Sequence, residues 1–190
     1  MAAAARRARP APRVKSRINS KTKPKPKSKP KPKPIAIDVL VESTRWNDFA
    51  DAVAIVRGAV MEAAAVLSTP RAELAIVLSD DSAVRELNRT WRGVDAATNV
   101  LSFPTGRVGG NRPHLGDIVL AFETIAAEAE TQDKPFGHHL SHLAVHGFLH
   151  LAGYDHRSHK DAAVMEQLER NILQHLAIPD PYRQPAKPRI

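Results

Sequence analysis

Three histidines stand at metal-ligand spacing in His146-Gly147-Phe148-Leu149-His150-Leu151-Ala152-Gly153-Tyr154-Asp155-His156. Residues four apart on a helix share a face one turn apart, so His146 and His150 can grip one ion. Gly153 can reach the left-handed conformation that ends helices, letting the chain reverse and carry His156 back to the pair. Three neutral imidazoles then form a tripod. Zinc takes four ligands, which leaves one position for water, whose pKa the metal lowers to about 7. The arrangement is that of a hydrolytic zinc site.

The neighbouring residues strengthen this reading against that of a hydrated histidine stripe. Seven of the nine histidines fall between His138 and His159. On a helix His139, His142, His146 and His150 share a stripe, with Leu140, Ala144, Phe148 and Leu151 opposite. Burying that apolar face would fix the backbone beneath the ligands. A structural zinc usually takes four protein ligands, and the chain has no cysteine. The spacing H-x-x-x-H-x-x-G-x-x-H is also that of the metzincin proteases, but Gly147 stands where those carry a glutamate base. A peptidase reading therefore lacks its base.

The elements that must position these residues fit one domain. The chain has 190 residues, 43% of them hydrophobic, which suits a single globular core. No run of about 18 apolar residues and no apolar leader segment point to a membrane or to secretion. Without cysteine there are no disulfides, and a cytoplasmic protein is the simpler expectation. Residues 1–34 hold 13 of the 28 Lys and Arg and none of the 20 acids, so the remainder carries a net charge of −5 with histidines neutral. That segment ends in alternating lysine and proline from Lys21 to Pro34, which predicts an extended, disordered basic tail. It can attract phosphates, merely aid solubility, or form part of an organellar transit peptide.

From Ile35 the pattern turns globular. Ile35, Ile37, Val39 and Val41 alternate as in a half-buried strand, and Ser43 or Thr44 can cap a helix over 46–67 that stops at Thr69-Pro70. A strand follows over 73–78, then a helix capped by Ser79 or Asp80 and running to about Arg92. Strands over 99–103 and 117–122 flank a loop with Gly106, Gly109, Gly110 and Pro113, giving hairpin character. Helices over 123–132, 136–152 and 160–175 complete the domain, with residues 179–190 as a C-terminal tail. The expected class is α/β (α+β), a single domain over 35–178 with four strands layered by about five helices.

Arg85, Arg89 and Arg92 form a basic stripe on the second of these helices, ordinarily a solvated face. Asp155 could orient a ligand, accept a proton, or serve only as a turn residue. The segment Leu87-Asn88-Arg89-Thr90-Trp91-Arg92-Gly93-Val94-Asp95-Ala96-Ala97-Thr98-Asn99-Val100-Leu101-Ser102-Phe103-Pro104, then Leu115-Gly116-Asp117-Ile118, then the three-histidine motif, resembles the YbeY family over residues 36–178. The resemblance implies a small mixed sheet surrounded by helices. It also implies a zinc-dependent endoribonuclease of single-stranded RNA, acting in maturation of the 16S rRNA 3′ end and in ribosome quality control. The partners would be ribosomal RNA and the small ribosomal subunit.

By position the resemblance makes His146, His150 and His156 the zinc ligands and Arg92 the catalytic arginine that meets RNA phosphate, with Trp91 in place of a family tyrosine. The family's Asp is Asn99 here. Asparagine keeps the hydrogen-bonding shape and loses the charge, which favours a structural role for that position. The basic tail is outside the resemblance, and oligomeric state stays open.

Overall fold

A computed structural model of the protein describes residues 35–105 and 113–183. The basic tail, the glycines at 106, 109 and 110 of the expected hairpin loop, and residues 184–190 lie outside the described residues. The elements are β1 (Ala36–Val41), a 3-10 turn (Thr44–Asp48), α1 (Ala52–Val66), β2 (Glu73–Ser79), α2 (Asp81–Arg92), β3 (Val100–Pro104), β4 (His114–Ala121), α3 (Phe122–Thr131), α4 (Phe136–Leu151) and α5 (His159–His175). The four strands form one sheet in the order β1-β2-β4-β3. β1, β2 and β4 are parallel and β3 returns antiparallel to β4, the expected mixed sheet with five helices.

The alternation of side chains along each strand decides what covers each face. Leu74, Ile76 and Leu78 of β2 and Ile118 and Leu120 of β4 point into the main core with residues of α1, α4 and α5. Val119 and Ala121, one residue out of phase, join Leu101 and Val84 in a smaller cluster under α2. Strands apolar on both faces follow from this two-sided cover.

Two boundaries differ from the sequence expectation for tertiary reasons. The helix expected over 46–67 is split. Ser43 caps only the short 3-10 turn, Phe49 leaves helical geometry, and α1 starts at Ala52. Trp46 causes the break: its indole N–H donates to the Ser79 carbonyl at 2.8 Å, and its ring packs edge-on to Phe122 at 5.1 Å. Reaching that buried place requires a bend no local propensity encodes. The second difference is at β4, which begins at His114, because Gly116 still pairs with Pro104 across the hairpin.

Helix starts are built as the sequence suggests. Asp80 caps α2 by accepting from the Ala83 N–H at 3.0 Å, a bond that lowers its carboxyl pKa. The starts of α2 and α3 also cap each other. Asp81 N–H donates to Glu123 at 3.0 Å, and Thr124 N–H donates to Asp81 at 3.0 Å.

Helix α4 touches α1, α3, α5, β3 and β4. At Gly147 it lies close against the sheet. A Cβ there would lie 2.9 Å from Ile118 Cγ2 and 3.1 Å from Ser102 Oγ. The Ser102 hydroxyl instead donates to the Gly147 carbonyl at 3.2 Å. Alanine at 147 would gain about 1 kcal/mol of helix propensity but lose about 1–3 kcal/mol to overpacking. Overpacking wins, so Gly147→Ala is expected to lower the urea unfolding midpoint, corresponding to about 1 kcal/mol. An unchanged or higher midpoint would show that α4 can lift off the sheet.

Candidate metal centre

His146 and His150 lie on the last two turns of α4, and the chain beyond them turns back as Gly153 requires. Gly153 has φ of 95°, and the Tyr154 N–H donates to the Leu149 carbonyl at 3.0 Å. This reversal aims the Tyr154 carbonyl at His150 Nδ1, 3.0 Å away. Asp155 then accepts from the His156 N–H at 2.8 Å and pairs with Arg157 at 2.7 Å. The His156 backbone bond, ahead of the Arg157 charge, holds the Asp155 carboxyl below its ordinary range. Of the roles open to Asp155, the structure supports that of a turn residue.

The result brings the three histidines together. One ring nitrogen from each of His146, His150 and His156 lies within 4.8 Å of the others. The rings of His146 and His156 stack with centroids 5.5 Å apart, and those of His150 and His156 are 5.1 Å apart.

Tautomers decide whether this donor set fits a metal. His146 Nδ1 is 2.7 Å from a Glu169 carboxylate oxygen, and His150 Nδ1 faces the Tyr154 carbonyl. Both partners can only accept, so each neutral ring carries its proton on Nδ1 and leaves Nε2 bare. Burial lowers the His150 pKa and favours the neutral ring. The two Nε2 atoms are only 3.1 Å apart. Two lone pairs at that distance repel unless a cation lies between them. The spacing is close to the ~3.3 Å between two nitrogens on one tetrahedral zinc. The residues present therefore fit zinc.

Glu169, from α5, is the largest contribution that the sequence did not disclose. It is the only fully buried carboxylate among the described residues. Burial alone would raise its pKa, but the neighbouring His142 ring and the hydrogen bond with His146 outweigh it and bring the carboxyl down to about 2. The Tyr182 hydroxyl also donates to it. A signal was present: Glu169 lies on the face of α5 that also carries the buried Met165, Ile172 and Leu173. A lone acid on an apolar stripe is rarely unpaired.

The rest of the expected stripe belongs to other partners. His139 is 5% exposed, bonds Glu128 at 2.7 Å, and has its pKa lowered chiefly by burial. His142 stands 3.4 Å from Glu169. The arginine stripe divides similarly, with Arg85 paired to Asp95 at 2.7 Å and Arg89 to Glu86 at 2.7 Å. Arg92 is exposed and has no ion pair among the described residues, and no hydrogen bond joins it to the three histidines. Its neighbour Trp91 is 69% exposed and lies edge-on to Phe103 with centroids 6.1 Å apart.

Asn99 stands at the start of β3. Its amide donates to both oxygens of Glu128, at 3.1 and 2.9 Å, while its own oxygen accepts from the Val100 N–H at 2.7 Å. An aspartate there would set two carboxylates together and hold one carboxyl above its unfolded pKa. Asn99→Asp is expected to cost about 1–2 kcal/mol at neutral pH. The deficit is full above the raised folded pKa and disappears below the unfolded one. Unfolding midpoints at pH 7.5 and 4.5 check this: a deficit that does not shrink on acidification would rule out carboxylate repulsion.

Comparison with known proteins agrees with this geometry. A family model described as Endoribonuclease YbeY matches residues 41–177. An Endoribonuclease YbeY of Rhodopseudomonas palustris (strain BisA53) is 52% identical over 154 residues, covering 77% of this chain and 90% of that one. An Endoribonuclease YbeY of Nitrobacter hamburgensis is 52% identical over 155 residues, covering 77% of this chain and 82% of its own. With the motifs in order, the mixed sheet in place and the family matched over most of its length, the chain belongs to the endoribonuclease YbeY family.

Proposed function

We propose that this protein is a zinc-dependent endoribonuclease of single-stranded RNA, acting in maturation of the 16S rRNA 3′ end and in ribosome quality control. The observation that carries the zinc reading is the pair of bare Nε2 atoms 3.1 Å apart on His146 and His150, with His156 closing the tripod. The names of the relatives supply the substrate class, RNA. The ribosomal setting, with ribosomal RNA and the small subunit as partners in the cytoplasm, follows from the family resemblance. No helix among the described residues is long and apolar enough to cross a membrane.

Zinc held by His146, His150 and His156 would supply Lewis-acid polarisation of a phosphoryl oxygen, or an activated water, at neutral pH. The protein's own groups do the remaining work. Arg92 is an exposed guanidinium fork with no ion pair among the described residues, suited to two phosphate oxygens and to the charge that develops on them. The exposed Trp91 ring beside it offers a face on which an RNA base can stack. Glu169 cannot serve the substrate as a base, since it is buried and accepts bonds at both oxygens. Position 147 is a glycine packed against Ile118 and Ser102 and supplies no peptidase base.

A single assay tests the proposal, using purified protein of measured zinc content and a labelled single-stranded RNA. His150→Ala is expected to lose zinc and abolish cleavage. Arg92→Ala is expected to keep zinc and slow cleavage by about 10²- to 10³-fold. Wild-type rates in a zinc-free His150→Ala protein would sink the reading. In parallel, deleting residues 1–34 should flatten the dependence of log RNA affinity on log salt if the tail contacts phosphates. An unchanged slope removes the tail from the interface.

A further inference from the structure

The chain beyond α5 packs back onto the setting of the metal centre. Three contacts hold it there: Arg170 Nε lies 3.4 Å from Asp180, Lys134 Nζ donates to the Pro181 carbonyl at 2.8 Å, and the Tyr182 hydroxyl donates to Glu169. The Tyr182 ring lies beneath the Arg170 guanidinium at 4.9 Å and edge-on to His142 at 5.6 Å. Tyr182 is 39% exposed, so burial of its ring is not what seats it. The hydroxyl, by contrast, reaches a carboxylate with no exposure at all.

Glu169 divides its two oxygens between these neighbours. Oε1 takes the His146 Nδ1 proton at 2.7 Å, while Oε2 accepts from Tyr182 and stands 3.4 Å from His142 Nε2. A carboxylate is planar, so rotation about its last bond moves both oxygens together. Without the hydroxyl, Oε2 keeps only the long approach of His142, and the bond at Oε1 loses its counterweight.

We propose that Tyr182 is a positioning residue for the metal centre: its hydroxyl fixes the plane of the Glu169 carboxylate, which holds the His146 ring with Nε2 toward His150 and His156. This rests on the zinc reading above. A ligand imidazole oriented by a carboxylate on its far nitrogen is a stronger and better-aimed donor, and loss of such a partner weakens metal binding. The alternative, that Tyr182 only packs, assigns its value to the ring contacts with Arg170 and His142, which phenylalanine would keep.

The test is zinc affinity, measured by chelator competition on the full chain for wild type, Tyr182→Phe, Glu169→Gln and the double variant. Thermal unfolding of each zinc-free protein controls for folding. Tyr182→Phe should weaken zinc binding by about tenfold, with a lowered zinc-free melting temperature but a zinc-free protein still folded at the assay temperature. Glu169→Gln should weaken it by about 10- to 100-fold. The double variant should bind no more weakly than Glu169→Gln alone, because the tyrosine acts through the glutamate. Wild-type affinity in Tyr182→Phe, or losses that simply add in the double variant, would overturn the positioning role while leaving the metal centre intact. A wild-type protein that binds no zinc would overturn the metal reading and this inference together.

Discussion

Helix α4 is buried on nearly every side and yet carries a row of imidazoles, and the surrounding elements are arranged by the need to satisfy them. A buried ring nitrogen without a partner costs free energy comparable to a lost hydrogen bond. α3 answers with Glu128 for His139, α5 with Glu169 for His146, and the turn after Gly153 with a carbonyl for His150, while His142 has only a 3.4 Å approach to Glu169 and no hydrogen bond. Each answer comes from a different element, so the helices around α4 cannot move independently. The same bonds that pack the fold decide which nitrogen of each ring is left for chemistry.

Where the sequence could be read, the reason was local. Strand alternation, the Asp80 cap and the four-residue spacing of His146 and His150 express periodicities of a single element, and Gly153 announces the turn that returns His156. What escaped was tertiary. Trp46 breaks the expected helix over 46–67 because its indole must reach Ser79 on β2. Glu169 is 23 positions from the histidine it orients, and only its place on an apolar stripe hinted at it. The arginine stripe looked uniform because spacing does not reveal which members have acids within reach. Two of the three do.

Asn99 shows how a departure from the family pattern can be matched inside one chain. Its amide lies between the Glu128 carboxylate and the first N–H of β3, and Glu128 in turn holds His139. The position thus ties the sheet edge to the helix that carries the candidate metal ligands. Its amide supplies two donor contacts to Glu128 that a carboxylate would lack.

The spacing shared with metal-dependent peptidases also has a consequence for how such sites can change over evolutionary time. The ligand spacing is the same in both, and the motifs differ at the residue after the first histidine, Gly147 here. In this fold a Cβ on that glycine would meet Ile118 and Ser102. Any side chain at 147 would have to displace one of these sheet contacts, so the packing of α4 on the sheet, as much as the ligand spacing, decides what that position of the motif can carry.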